Sequence, residues 1–267
     1  MNTATALPVG TLLRDWRLRR RLSQLDLAGD AEISTRHLSF VETGRAAPSR
    51  EMVIRLANRL DVPLRERNRL LVAAGFAPMY GERGLDEPAM AAARQAIDLV
   101  LRGHEPYPAL AVDRHWTLVS YNRAVPLLMA GADPALLEPP VNVLRLSLHP
   151  GGLAPRIVNL AAWRTHVLHR LQQQIAASGD ATLGALADEL RGYPAARDDA
   201  PAPNQHVVVP LVLDTPEGRL SFISTTTVFG TPVDVTLSEL ALETFFPADA
   251  ATAARLVRLA EARGASA

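Results

Sequence analysis

Three serines, Ser23, Ser34 and Ser49, constrain the front of this chain more than any other feature. Each places a short hydrogen-bond acceptor just before a run of apolar residues at helical spacing, which is the pattern of a helix start. Ser23 leads into Gln24-Leu25-Asp26, a Ser-x-x-Asp box that opens a helix through Asp30. Ser34 opens a second, Thr35 to Thr43, and Gly44 closes it. Pro48-Ser49 precedes Met52, Val53, Leu56, Ala57 and Leu60, a third. Upstream, Gly10 to Arg20 sets Leu12, Leu13, Trp16 and Leu18 among arginines. Downstream, Pro63 opens a helix through Leu64, Leu70, Leu71 and Ala74 that ends at Gly75. Five helices within about eighty residues predict a compact all-α module.

Beyond it the pattern changes. Pro78 to Gly84 reads as a linker, and Pro88 to Leu101 as a connecting helix with Met90, Ile97, Val100 and Leu101 on its apolar side. Ala109–Val112 and Trp116–Tyr121 flank Asp113-Arg114 as a hairpin. Asn159–Ala177 and Thr182–Leu190 are helical, and the Pro-, Asp- and Ala-rich Arg197–Asn204 is an exposed loop. Val207–Leu213 and Leu220–Phe229 are strands joined by the turn Pro216-Glu217-Gly218. Leu240–Phe246 reads as a strand, although Thr236-x-x-Glu239 can also open a helix there; a last helix covers Asp249–Ala262. Two strands, then helices, then three strands predict an α+β domain with one five-stranded antiparallel sheet, and the order argues against a dinucleotide-binding sheet. The expected organisation is 1–80 for the helical domain, 81–104 for linker and connecting helix, and 105–267 for the second domain.

Composition fits two domains: 267 residues, 48% of them hydrophobic. No apolar run is long enough to span a membrane and no secretory signal is visible. The absence of cysteine excludes disulfides, thiolate metal sites and cysteine nucleophiles, and agrees with a cytoplasmic protein. The net charge of zero hides an asymmetry. Residues 1–80 hold 13 Arg against 8 Asp and Glu, and residues 81–267 hold 15 Arg against 20. A basic front and an acidic rear suit a chain of which one domain meets a polyanion.

Leu22-Ser23-Gln24-Leu25-Asp26-Leu27-Ala28, with Ile33 to Arg45 and Pro48-Ser49, resembles the lambda-repressor/Cro-type helix-turn-helix family, also called the xenobiotic-response-element family, over residues 7–75. A recognition helix keeps one face in the protein and offers the other to the major groove. Ile33, Leu38 and Val41 face inward; Thr35, Arg36, Ser39 and Phe40 face outward beside the cap Ser34. Arg36 can donate twice to guanine, and Thr35 and Phe40 can meet a thymine methyl. Phe40 also admits a reading as partial core packing, and His37 lies to the side. The resemblance implies that Gln24, Arg45 and Arg50 contact backbone phosphate, and that Arg17 and Glu42 form a buried ion bridge. Glu32 stands where the family's turn usually has Gly, and a left-handed backbone there would disfavour Glu by about 1 kcal/mol.

In the rear, Pro108 to Ala124, Leu148-His149-Pro150-Gly151-Gly152-Leu153, Arg156-Ile157-Val158-Asn159, Phe229 to Thr236 and Glu243 to Asp249 resemble the ligand-binding domain of MmyB-like transcription regulators, over about residues 105–262. This implies a PAS-like fold whose pocket takes a small apolar ligand, a fatty acid or related lipid. Trp116, Leu118, Tyr121, Leu144, Phe222 and Phe229 are candidate walls, each with plain core packing as the other reading. Asn122, Arg123, His149 and Arg156 are candidate anchors for a carboxylate; Asn122 can instead cap the next helix, and His149 can stabilise a turn. His166 and His169 share a helix face without a third metal ligand, so surface histidines are the better reading. No phosphate loop and no Gly-x-Ser-x-Gly elbow occur. The sequence therefore predicts a non-enzymatic, homodimeric transcription regulator of bacterial type, without cofactor or metal, that binds double-stranded operator DNA under control of a small ligand. The alternatives are a haem- or flavin-bound redox or light sensor, and an enzyme tethered to DNA.

Overall fold

A computed structural model describes residues 7–194 and 208–264. By its internal contacts the chain divides into two compact units. The first comprises residues up to Arg83 with the short segments Ala176–Ser178 and Pro232–Ser238; the second comprises the rest.

Up to Arg83 the first unit carries α1 (Val9–Arg19), α2 (Gln24–Asp30), α3 (Thr35–Glu42), α4 (Arg50–Arg59) and α5 (Leu64–Ala73). Ser23, Ser34 and Ser49 each accept a hydrogen bond from the backbone N–H three residues on, at Asp26, His37 and Met52. The Ser23–Asp26 pair closes in both directions as a capping box. The helix ends repeat one device. The N–H groups of Leu22, Ile33, Arg45, Val62 and Phe76 donate to the carbonyls of Arg17, Ala28, Phe40, Ala57 and Leu71, the closure made when one residue turns left-handed after a helix. Gly44 and Gly75 do so without strain, at φ +74° and +84°, whereas Arg21, Glu32 and Asp61 do so as non-glycine residues at +56°, +55° and +45°. Leu13, Leu27, Leu38, Leu56, Leu60, Leu70 and Leu71 fill the core. Gly10 lets α1 approach α3 closely: a Cβ there would stand 2.2 Å from the Val41 carbonyl oxygen.

In the second unit the turn Pro88–Met90 leads into α6 (Ala91–Gly103). Then follow β1 (Ala109–Val112), β2 (Leu118–Tyr121), α7 (Val125–Met129), α8 (Val143–Leu148), α9 (Leu160–Ser178), α10 (Ala181–Gly192), β3 (Leu211–Thr215) and β4 (Gly218–Val228). The short α11 (Val235–Ser238), within the first unit's segment, precedes β5 (Ala241–Pro247) and α12 (Ala250–Gly264). The strands form one antiparallel sheet in the order β2-β1-β5-β4-β3, the α+β, PAS-like arrangement expected. β5 sits at its centre, so Leu110, Glu243 and Thr226 align across β1, β5 and β4.

Several expectations move. Trp116 is not in a strand: it sits in the β1–β2 turn at φ +66°, where Asp113 Oδ1 accepts from the N–H groups of His115 and Thr117. Val100 is 45% exposed, while Met90, Ile97 and Leu101 are buried, because its position falls off the stripe that they share on the helix. The strand expected at Val207–Leu213 begins at Leu211, after Pro210, whose missing N–H cannot join the ladder. Phe229 lies just past the end of β4. The strand reading near Leu240 is realised as β5, while Thr236 opens no helix: it lies inside the short α11, where its N–H donates to Asp234 Oδ1. Val207 and the loop Arg197–Asn204 lie outside the described residues.

Candidate functional site: a recognition helix and an apolar cavity

In the first unit, Arg17 and Glu42 form a two-pronged ion pair, Nε to Oε1 at 2.7 Å and Nη2 to Oε2 at 2.8 Å, with side chains 8% and 1% exposed. Gln24 Nε2 donates to Glu42 Oε2 at 2.8 Å. Burial pushes the Glu42 carboxyl up, but the bonds from Arg17 and Gln24, with the charges of Arg17 and Arg14, more than offset this and hold it below its usual range. The pair pins α1 to α3. Gln24 thereby commits one amide proton, which leaves the second as the one that a phosphate can take.

The opposite side of α3 carries the other candidates. Arg36 is exposed, and Thr35, His37, Ser39 and Phe40 are half-buried. Phe40 is not part of the unit's core cluster. Two guanidiniums bracket its ring instead, Arg36 at 5.3 Å and Arg45 at 5.9 Å from the centroid. This places an aromatic edge between two cations beside the capped start of the helix. Ser34 spends its hydroxyl oxygen on the cap, and Arg45 and Arg50 are exposed at the starts of the segments after α3.

The second unit encloses a cavity of about 80 Å³ between the sheet and α7, α8 and α9. Its walls are Trp116, Leu128, Leu144, Trp163, Val167 and Phe245 with further aliphatic side chains, and its polar groups are Ser147, Arg170, Ser224 and Glu243. Arg170 Nη2 donates to Glu243 Oε1 at 2.5 Å and to Thr226 Oγ1 at 2.7 Å, Nη1 reaches Glu243 Oε2 at 3.2 Å, and Thr226 donates to Glu243 Oε1 at 2.7 Å. Arg170 also lies over the Trp116 ring at 4.7 Å, while Trp116 Nε1 donates to Gln174 Oε1 at 2.8 Å. Trp163 Nε1 donates to Ser147 Oγ at 2.9 Å. An outer groove of about 770 Å³ runs along β2 and α7, and Met129 lines both groove and cavity.

Of the sequence-predicted wall residues, the structure brings Trp116 and Leu144 to this cavity. Leu118 and Tyr121 line the outer groove, since β2 is an edge strand. Phe222 is fully buried in the core, edge-on to Phe245 at 6.2 Å between ring centroids. Phe229 stands with Ile97 and Val100 in a separate hollow. Among the expected anchors, Asn122 is consumed by backbone: Nδ2 donates to the carbonyls of Leu101 and Tyr107, and Oδ1 accepts from Ala109 and Ala124. His149 Nδ1 accepts from the Gly151 N–H, the turn role. Arg123 is exposed. Arg156 lies beside the cavity and donates to the Leu128 carbonyl at 2.6 Å, and burial lowers its pKa. His166 stacks on Trp163 and His169 contacts Gln173; among the described residues no three His, Asp or Glu side chains gather to hold a metal.

Arg170 and Glu243 escaped the sequence reading. They are far apart in the chain, and each looks ordinary alone. The available signal was Glu243, the one charged residue of β5.

Among the described residues no helix is long and apolar enough to cross a membrane. No curated protein matches the chain. Residues 8–70 match a helix-turn-helix domain, and residues 93–259 match the MmyB-like transcription regulator ligand binding domain. With a DNA-binding module in front and a ligand-binding domain that spans more than half of its length, the chain belongs to the MmyB-like transcription regulators and is a ligand-regulated, DNA-binding transcription regulator.

Proposed function

We propose that this regulator reads its operator with Thr35, Arg36, Ser39 and Phe40, and that Gln24, Arg45, Arg50 and the α3 start at Ser34 fix it on the phosphate backbone. The bracketing of Phe40 by Arg36 and Arg45 supports this: a half-buried aromatic outside the core, between two cations, suits a thymine methyl flanked by guanine and phosphate. A homodimer presents two such helices to successive major grooves. Residues 1–80 read DNA, 81–104 connect, and 105–267 sense.

The ligand is a small apolar molecule of the fatty-acid or related-lipid class, held in the cavity between sheet and α7–α9. The observation that carries this is the wall itself, apolar but for one charged pair and two hydroxyls. A long chain needs more room than about 80 Å³, and Met129, unbranched and shared with the outer groove, is the side chain able to yield it. The chain acts in the cytoplasm, where its DNA is, and as a switch, a reading supported by the transcription-regulator domains that it matches. Native mass spectrometry of the gently purified protein tests the reading, together with operator binding before and after delipidation. A retained lipid whose removal changes operator affinity supports it. Unchanged affinity in stripped and reloaded protein overturns control by this ligand class.

A further inference from the structure

The polar end of the cavity is electrically closed. The only guanidinium on its wall among the described residues, Arg170, gives both prongs to Glu243 and one further bond to Thr226, and its face rests on Trp116. The Glu243 side chain is 4% exposed. Wall charges therefore sum to zero. A ligand carboxylate must either sit as a second anion beside a buried glutamate or displace Glu243 and strand it uncompensated. Among the described residues no other cation lines the cavity. Arg156 is off the wall and bonded to the Leu128 carbonyl. His166, one helical turn before Arg170, is held below its ordinary pKa by burial and by the Arg170 charge, so it is neutral near pH 7. His169 faces Gln173. Against this, the hydroxyls offer uncharged chemistry. Ser147 Oγ accepts from Trp163 while no described residue takes its own proton, and Ser224 Oγ has no hydrogen-bond partner among the described residues.

We infer that the cavity selects an apolar ligand with an uncharged head that both donates and accepts hydrogen bonds, a hydroxyl or primary amide, against an ionised carboxylate. This rests on the reading of the cavity as the ligand site and narrows the fatty-acid or related-lipid class to its members with an uncharged head. Ser224 and Ser147 exchange hydrogen bonds with the head, Glu243 accepts a further one, and Arg170 serves to keep Glu243 in place without being the anion's anchor.

The test compares 1-decanol, decanamide and decanoate on the delipidated full-length protein at about pH 8, where the acid is ionised. Binding is read by calorimetry and by the fluorescence of Trp116 and Trp163, both on the wall. The alcohol and the amide are expected to bind about tenfold or more tighter than decanoate. Ser224→Ala should weaken the alcohol severalfold and leave decanoate unchanged, and Glu243→Gln should narrow the gap. Decanoate binding as tightly as the alcohol in the wild-type protein overturns the head-group inference and leaves the cavity reading intact. Failure of all three probes to bind or to shift the fluorescence overturns the cavity reading and the inference with it. The wild-type comparison and Ser224→Ala keep the test decisive if Glu243→Gln does not fold.

Discussion

Each unit of this molecule contains a two-pronged arginine–glutamate pair whose carboxylate is buried and has a third polar partner. Arg17–Glu42 is completed by Gln24, and Arg170–Glu243 by Thr226. The first joins two helices within a few residues of a filled core. The second borders empty space, and its arginine remains 25% exposed. The same chemistry is a clamp where neighbouring atoms fill the surroundings and a cavity wall where they do not. Charge and spacing alone do not distinguish the two; packing does.

The sharpest way to break this comparison is to delete each carboxylate. Glu42→Ala leaves Arg17 buried and unpaired, and should cost about 3–5 kcal/mol in urea unfolding followed by circular dichroism. Glu243→Ala should cost less, about 1–3 kcal/mol, because Arg170 can turn toward solvent. A larger loss at Glu243 reverses the assignment of clamp and wall. Acid should separate the pairs as well. The folded-state pKa of Glu42 lies below its ordinary value of 4.5, so its stabilisation is complete above that value and is lost as pH falls through the lower folded one. The stability gap between wild type and Glu42→Gln should therefore shrink below about pH 4.5, and a gap constant down to pH 3 contradicts this.

Next in size are effects on the DNA face. Arg36→Ala should lose about 1–3 kcal/mol of operator affinity and relax the preference at one base pair. Arg45→Ala should weaken all sequences alike and reduce the salt slope by about one. Equal behaviour of the two in a binding-site selection would mean that neither reads bases. The smallest effect is at Glu32. Gly accepts φ +55° without a Cβ clash, so Glu32→Gly should raise stability by up to about 1 kcal/mol, seen as a higher midpoint with an unchanged denaturant slope.

The front unit was legible because its signals are local. Ser23, Ser34 and Ser49 cap helices a few residues away, and the odd residue at Glu32 marks a left-handed turn that the structure contains. In the rear unit, the number and order of strands followed from alternation and turns, but the cavity did not. Trp116 and Leu144 reach it, while Leu118 and Tyr121 fall outside because the position of β2 at the sheet edge is fixed by pairing with β1 alone. Asn122 resembles an anchor in sequence, yet four backbone groups claim it. Arg170 and Glu243 meet only when α9 packs over β5, a contact that no local pattern encodes.

The position of β5 has a consequence for the order of events during synthesis. Ala109 pairs with Thr244 and Val112 with Ala241, so the middle of the sheet joins the beginning of the rear unit to its end. That sheet cannot close until the residues through β5 have left the ribosome, and closing so long a loop is slow. The five helices in front close their own ends within six residues each. A chain interrupted before β5 would thus emerge with its recognition helix formed and its sensor open, able to occupy DNA while deaf to its ligand.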